Sequence, residues 1–78
     1  MSELHPGETA EVVRLAGESL RRRRLLELGL VPGTRVSAVR RSPGGEPTAY
    51  AIRGAVVALR REDAALVLVR GSRDGSEQ

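Results

Sequence analysis

The segment Arg24-Leu25-Leu26-Glu27-Leu28-Gly29-Leu30-Val31-Pro32-Gly33-Thr34 constrains this chain more than any other, because it encodes a helix end, a tight turn and a strand start in one short stretch. Gly29 stands where a residue in the left-handed conformation ends a helix. Leu30 is then placed to fold back onto Leu25 as the hydrophobic contact of that motif. Pro32 and Gly33 suit the two centres of a type II turn, since Pro fixes the φ of the first and Gly admits the positive φ of the second. A strand is expected from Thr34.

The core around this hinge has to be aliphatic. The chain has 78 residues, no Phe or Trp, and Tyr50 as its one aromatic residue, so Val, Leu, Ile and Ala must fill the interior. A core of that size leaves a net stability of only about 3–5 kcal/mol unless a partner or oligomer adds to it. The sequence has no Cys, which removes disulfides, thiolate ligands and thiol catalysis and is compatible with a reducing compartment. Met1-Ser2-Glu3-Leu4-His5-Pro6 is no basic segment followed by an apolar run, and the longest apolar runs elsewhere fall far short of the roughly 20 residues of a membrane helix. A soluble, cytoplasmic chain is the expectation.

The remaining elements follow from alternation and punctuation. Gly7 opens a strand through Leu15, with a break in alternation near Val12-Val13 that reads as a bulge. Ser19 is a candidate N-cap for a helix running to Leu28. Thr34 to Arg41 forms a second strand, with Val36 and Ala38 on one face and Val39 on the other. Ser42-Pro43-Gly44-Gly45-Glu46-Pro47 is an exposed turn-forming loop. Thr48 to Arg53 carries Tyr50 and Ile52 on a shared face, and Gly54 bends the chain directly into Ala55 to Arg60. Arg61-Glu62-Asp63-Ala64 reads as a tight turn, and Ala65 to Arg70 as a closing apolar strand. The folded domain is expected over residues 1–70, with a disordered tail over 71–78. Five short antiparallel strands with one short helix after the first make a mainly β, barrel-like fold whose interior is filled by side chains. Function is then expected on its surface.

Taken in order, the motifs Leu25 to Thr34, Ser42 to Pro47, Tyr50-Ala51-Ile52-Arg53-Gly54, Val57-Ala58-Leu59-Arg60 and Asp63-Ala64 resemble the FeoA family of bacterial ferrous-iron-transport accessory proteins over residues 6–70. The resemblance implies an SH3-like barrel in the cytoplasm, recruited to the inner face of the membrane by its partner, the membrane GTPase FeoB. It also implies a non-enzymatic regulatory role. It assigns this chain no cofactor and no metal site of its own. Borderline divalent iron wants several converging His or carboxylate ligands. The chain has a single His, His5, which reads as a solvated terminal residue.

Thirteen basic residues face ten acidic ones for a net charge of +3, and every basic residue is Arg. Such usage reads as compositional bias before it reads as a phosphate-binding surface. Successive helical residues rotate by about 100°, so Arg21 to Arg24 splay around the helix and cannot converge on one ligand. Leu25 and Leu28 lie on the core side, while Leu26 falls between Arg22 and Arg23. That places Arg22, Arg23 and Leu26 together as a small candidate protein-binding patch, against the plainer reading that Leu26 packs under a loop. Tyr50 is a candidate for a shallow peptide groove, against its use as a rim or core residue. Gly29, Pro32, Gly33 and Gly54 are read as structural turn residues. Pro43-Gly44-Gly45 reads as a turn and not a phosphate cradle, since no helix N-terminus and no Lys-Ser/Thr pair follows it. No nucleophile, base and orienting group share a spacing, so no catalytic residue is assigned. A small basic barrel binding RNA or DNA is the competing reading. It is weakened by the lack of stacking aromatics, since Tyr50 alone is no platform.

Overall fold

The helix stop and the Pro-Gly turn are the joints on which the chain is hung. The computed structural model describes residues 1–17 and 19–71. The cap expected of the Ser19 side chain, and residues 72–78 of the expected tail, lie outside the described residues, while Gly71, read as the first residue of that tail, pairs with Ala10 as the end of a strand. The elements are β1 (Thr9–Leu15), α1 (Ser19–Glu27), β2 (Arg35–Arg41), a 3-10 turn (Pro43–Gly45), β3 (Thr48–Ile52), β4 (Ala55–Leu59), α2 (Arg61–Ala64) and β5 (Val67–Gly71). The five strands form one sheet in the order β4-β3-β2-β1-β5, with every neighbouring pair antiparallel. The stretch expected as a tight turn at Arg61–Ala64 is one turn of α-helix.

At the end of α1, Leu30 N–H donates to the Leu25 carbonyl at 3.3 Å and Gly29 N–H to the Leu26 carbonyl at 2.9 Å. These two bonds define the Schellman stop. Gly29 has φ +101, and a Cβ there would lie 2.5 Å from Cδ of Arg53. Two constraints therefore reserve the position for glycine. The Thr34 hydroxyl donates to the Gly29 carbonyl at 2.9 Å, tying the stop to the next strand. Thr34 N–H closes the turn on the Val31 carbonyl at 3.0 Å, with Gly33 at φ +93 as a type II turn requires. The same turn docks on β1, because Val12 N–H donates to Thr34 O and Gly33 N–H donates to Val12 O, both at 2.8 Å.

Between β3 and β4 the hairpin is closed by Arg53 and Gly54, at φ +50 and +85. Two successive positive φ values are the requirement of the two-residue turn that matches strand twist. The bulge read at Val12-Val13 lies between Val12 and Arg14, where the pairing of β1 with β5 shifts register. A second shift, between Ala38 and Arg40, separates β2 from the simple alternation read in the sequence.

The core comprises Ala10, Val12, Leu15, Leu25, Leu30, Val36, Ala38, Tyr50, Ile52, Leu59, Ala64 and Val67, joined by Met1 and Leu4. The last two come from a segment in which no element is read from the sequence. Met1 is 3% exposed, and its ammonium donates to the Val67 carbonyl at 2.6 Å. Burial pushes that amine below its ordinary pKa, against the opposing pull of Glu3, whose carboxylate lies 3.8 Å away.

Candidate functional site

Helix α1 spreads its aliphatic residues more widely than a narrow stripe. At about 100° per residue, Leu28, Leu25 and Leu26 cover an arc of about 160°, and all three pack on the core, Leu25 fully buried and the other two partly. This corrects the placement of Leu26 on an outward patch. Leu26 is half-buried and packs against the core, which it therefore supports. Arg22 and Arg23 are exposed.

A different leucine faces solvent. Leu20 is 70% exposed, the most exposed large apolar residue described. Arg23, Arg24 and Glu27 lie three, four and seven positions further on and share its face, and all are exposed. An aliphatic residue flanked by two guanidinium groups therefore exists on α1, about 1.7 turns before the position expected. Arg21 is engaged elsewhere. Its Nε lies 3.2 Å from Oδ1 of Asp63 and its Nη2 3.8 Å from Oε2 of Glu62, linking α1 to α2.

Tyr50 is also corrected. At 1% exposure it is among the largest fully buried side chains, too buried to offer its ring to a peptide, and it borders only a small cavity at the barrel end. Its hydroxyl lies 3.5 Å from the Met1 carbonyl. Burial pushes the phenol above its ordinary pKa, while the Thr48 hydroxyl and the Arg41 guanidinium pull the other way. Inward pairing explains the burial, because Tyr50 lies opposite Ala38 on β2 and Val57 on β4, in the alternating set with Thr48 and Ile52.

Hollows among the described residues include three of differing size. One of about 410 Å³ is lined by Glu46, Arg60, Arg61, Glu62 and Ala65, and one of about 500 Å³ runs along Val31 to Arg35 and Arg53. The third, about 50 Å³, lies at the barrel end between Arg41, Arg61 and Thr48. Among the described residues no three His, Cys, Asp or Glu side chains come together as a metal site. His5 is exposed, with its backbone N–H donating to Glu8 Oε1 at 2.8 Å. No helix among the described residues is long and apolar enough to cross a membrane.

This architecture has relatives. The FeoA domain model matches residues 1–71. The chain belongs to the FeoA family. A curated relative from Porphyromonas gingivalis, the Fe(2+) transport protein A/Fe(2+) transporter FeoB fusion protein, is 44% identical over 69 residues, which is 88% of this chain and 8% of that protein. The chain thus spans less than a tenth of the fusion's length. Iron(II) transport protein A from Clostridium thermocellum superposes with a TM-score of 0.88 at 30% identity, over 92% of this chain and 44% of that one. The Stenotrophomonas maltophilia FeoA complexed with zinc, an SH3 domain protein, superposes with a TM-score of 0.81 at 36% identity, over 88% and 86% of the two chains. The fold is accordingly mainly β and SH3-like.

Proposed function

We propose that this FeoA domain is a non-enzymatic cytoplasmic accessory of ferrous iron uptake that acts by binding FeoB. The observation that carries the reading is the fusion of a 44% identical FeoA segment to FeoB in one polypeptide. Covalent fusion keeps two modules at high effective concentration, an arrangement that serves modules working together. Recruitment to the inner face of the membrane follows from that partner.

The docking face we assign is the outward side of α1, with Leu20 as the aliphatic anchor and Arg23 and Arg24 beside it; Arg22, about 160° round the helix from Leu20, lies off this face. An apolar centre rimmed by Arg is the composition of a binding hot spot, and Arg presents a planar fork to partner carboxylates. Leu26 contributes by holding α1 on the barrel. The chemistry of uptake stays with the transporter.

The test is co-purification of the chain with full-length FeoB of the same source from solubilised membranes. Retention that is lost in L20E, with the variant still folded, is the expected result. Failure of the wild-type chain to co-purify overturns the proposal. Tight, steeply salt-dependent retention of RNA or DNA by the purified chain would support the competing reading.

A further inference from the structure

The geometry points to a binding site for a tetrahedral oxyanion of the phosphate class in the small cavity at the barrel end, between the guanidinium groups of Arg41 and Arg61 and the hydroxyls of Thr48 and Tyr50. The cavity measures about 50 Å³ and is lined by Ser2, Arg41, Gly45, Thr48, Tyr50 and Arg61. A single water needs roughly 10–15 Å³ by this kind of measure, so the space suits a few waters or one small anion. Its lining brings together the N-terminal segment, the end of β2, the loop before β3, β3 itself and the start of α2.

Each cation is delivered by a specific local structure. Unbroken alternation in β2 would put Arg41 on the outer face with Val39. The register shift between Ala38 and Arg40 instead sets Arg41 opposite Thr48, which is 5% exposed and the buried polar residue of the core. Nη2 of Arg41 donates to the Leu4 carbonyl at 2.8 Å. That bond anchors the guanidinium while its other N–H groups remain available. Arg61 reaches the cavity by crossing Gly45, where a Cβ would lie 3.2 Å from its Nη2 and where φ is +96. Glycine at 45 thus provides both the turn and the clearance.

The nearest carboxylates have other partners, with the charge of Glu3 felt at Tyr50 in the lining. Glu46 accepts a hydrogen bond from the backbone N–H of Arg61 at 2.9 Å and lines the neighbouring hollow. Glu3 lies by the Met1 ammonium. Among the described residues neither Arg41 nor Arg61 forms a salt bridge. The Tyr50 hydroxyl is engaged with the Met1 carbonyl, so the donors offered to an anion are those of two guanidinium groups, which enter from β2 and from α2 and therefore from different directions. Such a set matches the lone pairs of a tetrahedral oxyanion better than a planar carboxylate, and charge-assisted bonds to guanidinium are the strong ones. The Pro43-Gly44-Gly45 loop that sequence reasoning set aside as a phosphate cradle contributes through the space Gly45 leaves for Arg61.

The test is NMR mapping of amide shifts on titration with inorganic phosphate, with a sugar phosphomonoester and with acetate, at constant ionic strength balanced by chloride. Saturable shifts at Ser2, Gly45, Thr48 and Arg61 with phosphate support the site. Shifts produced by phosphate alone assign it to the free ion, and equal or tighter binding of the monoester assigns it to the same group on a larger ligand. R61Q should weaken binding by about tenfold with the fold intact, and R41Q is the second variant. Acetate binding as tightly as phosphate overturns the inference. So do unsaturable shifts spread over Arg21–Arg24 and Arg35, or shifts unchanged in both variants.

Discussion

Replacing Gly29 by alanine isolates the hinge on which the fold depends, and its cost can be worked from two features of the structure. A β-carbon at φ +101 carries the penalty of left-handed backbone, about 1–2 kcal/mol. The same carbon would lie 2.5 Å from Arg53 Cδ, so the Arg53 stem must leave its position at about 0.5–1.5 kcal/mol. Alanine restricts the unfolded chain more than glycine does, which returns about 0.4–1 kcal/mol. The net loss is about 2 kcal/mol, close to half the stability of so small a core and equivalent to a fall in Tm of about 8–16 °C. Urea unfolding followed by circular dichroism measures it. In the R53A background the same substitution should cost about 1 kcal/mol less, since only the backbone strain remains. A loss within about 0.5 kcal/mol of zero, in the range of an ordinary surface substitution, would refute the account of the helix stop. An equal loss in both backgrounds would remove Arg53 from it.

Other expectations follow from the same packing. L26E should destabilise the chain by about 1–3 kcal/mol, because it sets a carboxylate against the core; denaturant unfolding measures this, and unchanged stability would return Leu26 to the surface. Tyr50 should resist ionisation at its ordinary value of about 10. Its pKa is raised by burial, so its contribution to stability is present below the unfolded pKa and is lost as pH rises above it. An alkaline titration of phenolate absorbance should therefore coincide with loss of secondary structure, and titration near pH 10 in a folded chain would contradict the burial. R21A should cost at most about 1 kcal/mol by thermal unfolding, since its ion pairs to Glu62 and Asp63 are largely exposed.

What the sequence made legible was the local grammar. Gly29 and Pro32-Gly33 act through their own backbone preferences, and Tyr50 and Ile52 share a face because strand alternation requires it, so these could be read without knowing any neighbour. What escaped depends on tertiary context. The bulge in β2 adds one residue between Ala38 and Arg40, reversing the face of Arg41, and no residue of that stretch signals it. The position of Leu26, about 100° round from Leu25 between two arginines, reads equally as patch or as packing, and only the tertiary structure shows it against the core. Leu20 was available to the same angular argument, since it lies about 160° from the middle of the buried arc. Met1 and Leu4 share a spacing of three residues that marks one face of a turn, but their burial depends on β5, which offers the Val67 carbonyl.

The claim on which the functional account rests is a direct contact between the outward face of α1 and FeoB, and titration of purified FeoB in lipid nanodiscs with the isolated chain measures it. The account predicts saturable binding that weakens by about tenfold or more in L20E, as a hot-spot residue requires, with a melting temperature close to that of the wild type. Binding unchanged in L20E, and lost instead when the exposed Val56 on the edge strand β4 is made charged, would contradict it.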